Sequence, residues 1–264
     1  MLFIPPSRQV FDDPALEGNC YLESHGARTY SEYNYLGGGL SARVKLRHFE
    51  VSLCLCREWF GAASVLDFGC ADGVFLPSLA HYFPQVAGVD IRPDFIRVAQ
   101  VLAERLDLRN VRLVCNANMS HEELAELLGQ TYDLAFMLEV LEHVGTPGRP
   151  AAEIYEEKMS LVAQVMSLLG ADGRVVVSVP RMTGPAFLAQ RAGLAALGLR
   201  REPLSFGELL QAGLLRRTKS LEQRWRGNHL GFNERTFRRL LAERFRLLRS
   251  RSTFFQDIHM IAAK

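Results

Sequence analysis

The chain has 264 residues, of which 48% are hydrophobic and 23% charged, with a formal net charge of +2. That make-up suits a globular protein with a sizeable core, either one large α/β domain with an appendage or two small domains, and the charge balance taken whole points to no particular partner. Five cysteines, at positions 20, 54, 56, 70 and 115, form no CxxC pair, which speaks against a disulfide framework and a structural zinc site.

Residues 1–40 read as an N-terminal extension, and residues 41–264 as the main domain. The opening stretch, MLFIPPSRQVFDDP, has no basic flank ahead of an apolar run, so a secretory leader is not expected. No run of 18 apolar residues occurs anywhere, so no membrane span is expected, and a reducing cytoplasm is the expected location. Tyr30, Tyr33 and Tyr35 precede three glycines at 37–39, a flexible joint. The tyrosine segment reads either as surface chain folded onto the core or as a lid over a pocket. Residues 41–60 carry an imperfect apolar stripe at helical spacing. Cys54, Cys56 and Cys115 lie among apolar neighbours and are expected to be buried thiols.

Ser64 to Phe68 is a short apolar strand, followed by Gly69-Cys70-Ala71-Asp72-Gly73 and then a helix that Pro84 stops. Strand, glycine turn and helix in that order form a cradle for an electron-rich group, because glycine permits close backbone approach and a helix N-terminus offers unpaired N–H groups. A dinucleotide turn would read G-x-G-x-x-G. Here Ala71 holds the third position and no glycine follows two residues after Gly73. The pattern E/D-x-G-x-G-x-G fits Asp67, Gly69 and Gly73, with Ala71 in place of the middle glycine; an ordinary βα turn is the plain alternative.

A second strand, residues 85–91, reaches Asp90 about twenty residues past the glycine turn, where such folds hold a ribose. Pro93 opens a helix over 94–106. The third strand, 110–115, ends at Asn116-Ala117-Asn118, where an amide would read an adenine or merely make a turn. Ser120 and Glu123 form a capping box for the next helix. The fourth strand, 132–138, runs into Glu139-Val140-Leu141-Glu142-His143. On a helical turn Glu139, Glu142 and His143 share one face, as a general base with supporting carboxylates, as metal ligands, or as a polar helix start.

A helix over 151–169 leads through Ala171-Asp172-Gly173 to a fifth strand, 174–180. Residues 181–227 break the alternation and read as a helical insertion, a cap, a substrate lid or an interfacial helix. Charge gathers here: residues 200–251 hold 14 of the 31 Lys and Arg but 5 of the 29 acidic residues. A last helix starting at Asn233 and two terminal strands complete the chain.

The glycine turn at 67–73, Asp90, YDLAFMLEVLEHV and GRVVVSVP together resemble class I S-adenosylmethionine-dependent methyltransferases, over roughly residues 45–180 and 228–264. The resemblance implies a Rossmann-like, mostly parallel seven-stranded sheet with helices on both faces and an antiparallel last strand. It implies S-adenosylmethionine as cofactor, with Asp67, Gly69, Cys70, Ala71 and Gly73 holding its methionine part. By the same token Asp90 with Ile91 takes the ribose, Asn116, Ala117 and Asn118 the adenine, and Leu138 lies close by. Within the class, EVLEHV is similar to ubiquinone-biosynthesis O-methyltransferases, which implies a small-molecule or lipid-linked acceptor with His143 as base and Glu142 or Glu139 in support. A related E-x-x-E-H arrangement binds metal in small-RNA 2′-O-methyltransferases. On that resemblance Glu139, Glu142, His143 and His229 are candidate metal ligands; the basic charge of residues 200–251 would itself suit RNA or an anionic membrane surface. A non-catalytic, cofactor-binding scaffold is the alternative from outside the enzymes.

Overall fold

Alternating side chains of short apolar strands feed two separate cores, and that alternation sets the architecture. The computed structural model describes residues 1–13, 16, 26, 29–37, 39–196, 204–227 and 229–263, the side chains of 39–41 and 194 excepted. The strands are β1 (Ser64–Phe68), β2 (Gln85–Asp90), β3 (Val111–Cys115), β4 (Tyr132–Leu138), β5 (Leu169–Pro180), β6 (Leu247–Ser252) and β7 (Gln256–Ala262). They form one sheet in the order β3-β2-β1-β4-β5-β7-β6. β1 to β5 run parallel, and β7 is antiparallel to both β5 and β6.

The helices are α1 (Gly39–Leu55), α2 (Leu76–Tyr82), α3 (Pro93–Arg105), α4 (His121–Leu128), α5 (Ala151–Ser167), α6 (Gly184–Ala196), α7 (Phe206–Gly213), α8 (Lys219–Glu222) and α9 (Glu234–Arg244). On one face of the sheet Leu66, Ala135, Val175 and Val177 pack with Tyr155, Met159 and Val162 of α5 and Phe237 and Leu241 of α9. On the other, Val65, Leu134, Phe136 and Val176 pack with Phe49 and Leu53 of α1, Leu79 of α2 and Val98 of α3. Both cores are closed to water, so each large side chain there contributes roughly 1.5–3 kcal/mol by burial.

The strand order reverses direction of growth between β1 and β4. In such sheets ligands sit outside the carboxyl ends of the strands at that point. Asp67, Asp90 and Leu138 lie at those ends, so the topology brings three residues far apart in the chain to one edge.

Three local expectations need correction. Ala171-Asp172-Gly173 is not a turn ahead of the fifth strand: β5 already begins at Leu169, paired with Tyr132, and an irregularity shifts the register before Leu134 meets Arg174. Cys54 is exposed and Cys115 half-buried; Cys56 alone of the three is sealed in the core. Residues 139–143 do not form a regular helical turn, which matters for the site below. Cys20, Gly38 and residues 197–203 of the insertion lie outside the described residues.

Candidate active site

The glycine turn is built on left-handed backbone. Gly69 has φ +82°, Gly73 φ +89°, and Ala71, where the motif prefers glycine, still adopts φ +48°. Each glycine answers a different constraint. A Cβ at Gly69 would overlap the Val140 side chain, whereas one at Gly73 would come within 2.8 Å of Leu76 and 3.1 Å of Ala99 on α3. Gly73 thus permits close packing between turn and helix, and does not line the cavity. Cys70 is buried behind the turn, its Sγ beneath Gly88 of β2.

Asp90 ties the turn to the second strand. Its carboxylate accepts from the Ala71 N–H and the Arg92 N–H, each at 2.9 Å. Burial, partly offset by these donors, raises its pKa above the ordinary aspartate value. Asp67 is also buried, and desolvation, with Asp90 nearby, pushes its pKa up to about 7.

A cavity of about 450 Å³ opens along this edge. Asp67, Gly69, Ala71, Asp90, Ile91 and Asn116 line it. Leu138, Glu139 and His143 line it as well. Ala117 and Asn118 do not line it, and Asn118 points outward on left-handed backbone. Two features of the wall face a missing partner. Ile91 is 66% exposed although apolar. The Asn116 Oδ1 is buried with no hydrogen-bond partner among the described residues. A buried, unsatisfied acceptor costs about 1–3 kcal/mol, so this one suits a ligand donor. Tyr30, Tyr35 and Phe95 complete the wall and were not foreseen as cofactor residues. For Phe95 the signal was its place one turn past Asp90; for the tyrosines, only their clustering.

The carboxylates after β4 separate. Glu139 has φ +57°, its N–H donates to the Ser178 carbonyl at 3.1 Å, and its Oε1 accepts from Ser178 Oγ at 2.8 Å. Its left-handed backbone brings its carboxylate to Ser178 of β5. Burial and the neighbouring Glu142 carboxylate raise its pKa well above the usual range. Leu141–His143 is a single tight 3-10 turn. The expected shared face of Glu139, Glu142 and His143 is therefore absent: Glu142 and His143 instead converge with His229.

Glu142 is 0% exposed, and neither carboxylate oxygen has a hydrogen-bond partner among the described residues. Its Oε1 lies 3.4 Å from His229 Nε2 and 3.8 Å from His143 Nε2. His143 Nδ1–H donates to the Gly227 carbonyl at 2.7 Å, which leaves Nε2 as the lone-pair nitrogen. Burial lowers the His143 pKa, so the imidazole is neutral near pH 7 and the contact is not an ion pair. Burial also pushes the Glu142 pKa up to about 8. One ligand atom from each of Glu142, His143 and His229 lies within 4.8 Å of the others. Three electron-rich atoms so placed call for a shared proton or a cation. The turn is held by Trp225 Nε1, which donates to the Glu142 carbonyl at 3.1 Å. Sequence reasoning placed His229 among the ligands, but the tie through Trp225 and Gly227 is tertiary and left no local pattern.

The model of a family described as methyltransferase domain matches residues 47–244. Ubiquinone biosynthesis O-methyltransferase of Xanthomonas axonopodis pv. citri is 29% identical over 125 residues, 47% of this chain and 46% of that protein. The protein of the same name from Albidiferax ferrireducens is 35% identical over 83 residues, 31% of this chain and 32% of that one. The chain thus spans a third to a half of the length of these curated relatives. Magnesium protoporphyrin IX methyltransferase from Synechocystis PCC 6803, solved with bound SAH, aligns over 92% of this chain and 96% of its own, at 18% identity and TM-score 0.53. The PH0226 protein of Pyrococcus horikoshii aligns over 92% and 98%, at 16% identity and TM-score 0.55. At such identities these two structures speak for the fold alone. By the extent of the family match, the chain belongs to the methyltransferase domain family.

Proposed function

We propose that the protein transfers the methyl group of S-adenosylmethionine to a hydroxyl oxygen of a small-molecule or lipid-linked acceptor, with His143 as the base. One observation carries this reading: Asp90 and His143 both line a single cavity. The residues present fit the cofactor. Asp90 would hold the ribose hydroxyls, the exposed Ile91 would meet a face of the adenine, and Asn116 Oδ1 would accept from its amino group. Asp67 and the Gly69–Ala71 backbone would hold the methionine part.

When bound, the cofactor supplies an electrophilic methyl group on a sulfonium, so the hard chemistry is not the protein's. The chain must align the acceptor oxygen and receive its proton. His143 Nε2, a free base in the neutral imidazole, takes that proton as the carbon–oxygen bond forms and the carbon–sulfur bond breaks. The Gly227 carbonyl, fixed on Nδ1–H, holds the tautomer and stabilises the imidazolium. His143→Ala should lower turnover about 10²–10⁴-fold while leaving S-adenosylhomocysteine binding intact. Undiminished turnover in that variant, measured against pools of hydroxylated small molecules, lipids and RNA, overturns the assignment.

The solitary buried carboxylate of Glu142 favours a second reading of the same site. A divalent cation held by Glu142, His143 and His229 would bind the acceptor oxygen and make His143 a ligand; Glu139 stays on Ser178 in this arrangement. That chemistry would also serve a ribose 2′-hydroxyl at an RNA end. A lipid-linked acceptor draws support from the insertion, where Phe206, Leu214 and Leu215 are exposed beside the basic Arg216, Arg217 and Lys219. Apolar and basic side chains on one short stretch suit an anionic membrane surface. No helix among the described residues is long and apolar enough to cross a membrane.

A further inference from the structure

The family match begins at residue 47, yet the cavity wall does not. Tyr30 and Tyr35 close it from the N-terminal side. The Tyr30 ring packs on Phe95 at 5.4 Å between centroids, and the Tyr35 ring on Phe49 at 5.4 Å. The two tyrosines meet each other edge-on at 6.0 Å. Phe95 is near the Asp90 end and Glu139 near the other; the hydroxyl of Tyr35 interacts with both Tyr30 and Glu139. The pair therefore lies along the cavity, beside the stretch that a nucleoside would fill.

Between them sits a specific anchor. Ser31 N–H donates to Asp72 Oδ2 at 2.6 Å, and Ser31 Oγ donates to Asp72 Oδ1. The Thr29 hydroxyl is bonded to the same carboxylate. Thr29, Ser31 and Asp72 are all fully buried. Asp72 belongs to the glycine turn, between Ala71 and Gly73, yet does not line the cavity. A buried charged acceptor needs its donors, so the turn that meets the cofactor and the segment that covers it are fastened to each other.

We propose that residues 29–36 form a strap over the nucleoside site, with Ser31 on Asp72 as its latch and Tyr30 and Tyr35 as positioning residues. The inference rests on the methyltransferase reading of this cavity. Latched, the strap packs two tyrosines along one wall of the cavity; it lifts as the cofactor enters and as its product leaves. Relatched, it holds the cofactor while the acceptor arrives from the His143 side, which makes binding ordered and places product release under control of the latch.

The test is S-adenosylhomocysteine release by stopped flow, with wild type, Ser31→Ala and Ser31→Thr. Ser31→Ala should release it about tenfold faster and raise KM for S-adenosylmethionine in proportion, a loss of the size expected for one bond to a charged group. Single-turnover methyl transfer at saturating cofactor should stay within about twofold, since Ser31 touches no reacting atom. Ser31→Thr keeps the hydroxyl and should behave as wild type. In the unaltered protein, amide hydrogen exchange over residues 29–36 should slow when S-adenosylhomocysteine is added. Equal release rates in Ser31→Ala and wild type, or exchange over 29–36 indifferent to the nucleoside, overturn the strap alone. Failure of wild type to bind S-adenosylhomocysteine by calorimetry overturns the parent reading with it.

Discussion

Lys158 of α5 is buried against the turn that carries Glu142, yet its ammonium is committed to backbone carbonyls and not to the carboxylate. Lys158 Nζ donates to the carbonyls of Leu141, at 2.7 Å, and Val144, at 2.5 Å. It also lies over the Trp225 ring, 4.7 Å from its centroid. Lys158 is 1% exposed, and burial lowers its pKa to about 8. The arrangement clamps both ends of the turn that carries Glu142 and His143, and its charge partly offsets the burial that raises the Glu142 pKa. Lys158→Met should cost about 2–5 kcal/mol, because it leaves the buried carbonyls of Leu141 and Val144 without their charged donor. Adding Glu142→Gln should recover on the order of 1–3 kcal/mol of that loss. Urea unfolding of the two single variants and the double checks it; strict additivity would show that the two side chains do not sense each other.

Gly69 and Val140 form a second coupled pair, across the mouth of the site. A methyl group at Gly69 meets both the Val140 side chain and a backbone at φ +82°. Gly69→Ala should therefore destabilise by about 2–4 kcal/mol, the sum of an overpacking cost and a left-handed penalty. Val140→Ala in the same chain should remove the steric part and leave about 1–2 kcal/mol of backbone strain. If the double variant is no more stable than Gly69→Ala alone, the contact is not the obstacle.

Asp67 gives a pH signature. Its folded pKa of about 7 stands above the ordinary aspartate value, mainly through burial. Between about pH 4 and 7 the folded state holds a proton that the unfolded chain has lost. Stability from this group is thus complete below about pH 4 and is lost as pH rises through 7. Asp72, pushed up to about 6 by burial, acts with the same sign over a lower window. Asp67→Asn should raise stability at pH 8 by on the order of 2 kcal/mol and flatten, without abolishing, the decline between pH 5 and 8. The same variant should bind S-adenosylmethionine more weakly. Thermal unfolding of both proteins across that range decides it, since buried His48 and His259 act with the opposite sign in each: an Asp67→Asn advantage that shrinks from pH 5 to 8 contradicts the sign.

The elements that were legible in the sequence are local ones. β1, the glycine turn and α2 lie within twenty residues, and their apolar run, turn residues and helical spacing agree with one another. Asp90 was legible because the βαβ unit puts it at a predictable distance from Gly69. Glu139, Glu142 and His143 failed as a helical face because spacing reports a period, while Glu139 adopts φ +57° to reach Ser178 on a strand 39 residues away. Cys54 failed because apolar neighbours on α1 do not say which flank of the helix meets the sheet. The latch between Ser31 and Asp72 spans 41 residues and joins residue types common in any loop, so nothing in the sequence marks it.

The cluster of Glu142, His143 and His229 separates two chemistries by a single ligand. One carboxylate and two imidazoles suit zinc, iron or manganese better than calcium. If a cation belongs there, zinc or manganese at about a hundred times its dissociation constant should stabilise chelator-treated protein by about 2.7 kcal/mol, roughly 5–10 °C in midpoint. Glu142→Gln should abolish that shift, since it removes the only anionic ligand among the three. His229→Ala should weaken it, and turnover should follow occupancy. If no divalent cation moves the wild-type midpoint and chelation leaves turnover intact, the three groups share a proton instead. Glu142, its pKa pushed up to about 8 by burial, then stays neutral at pH 7, and His143 keeps Nε2 free for the role of base.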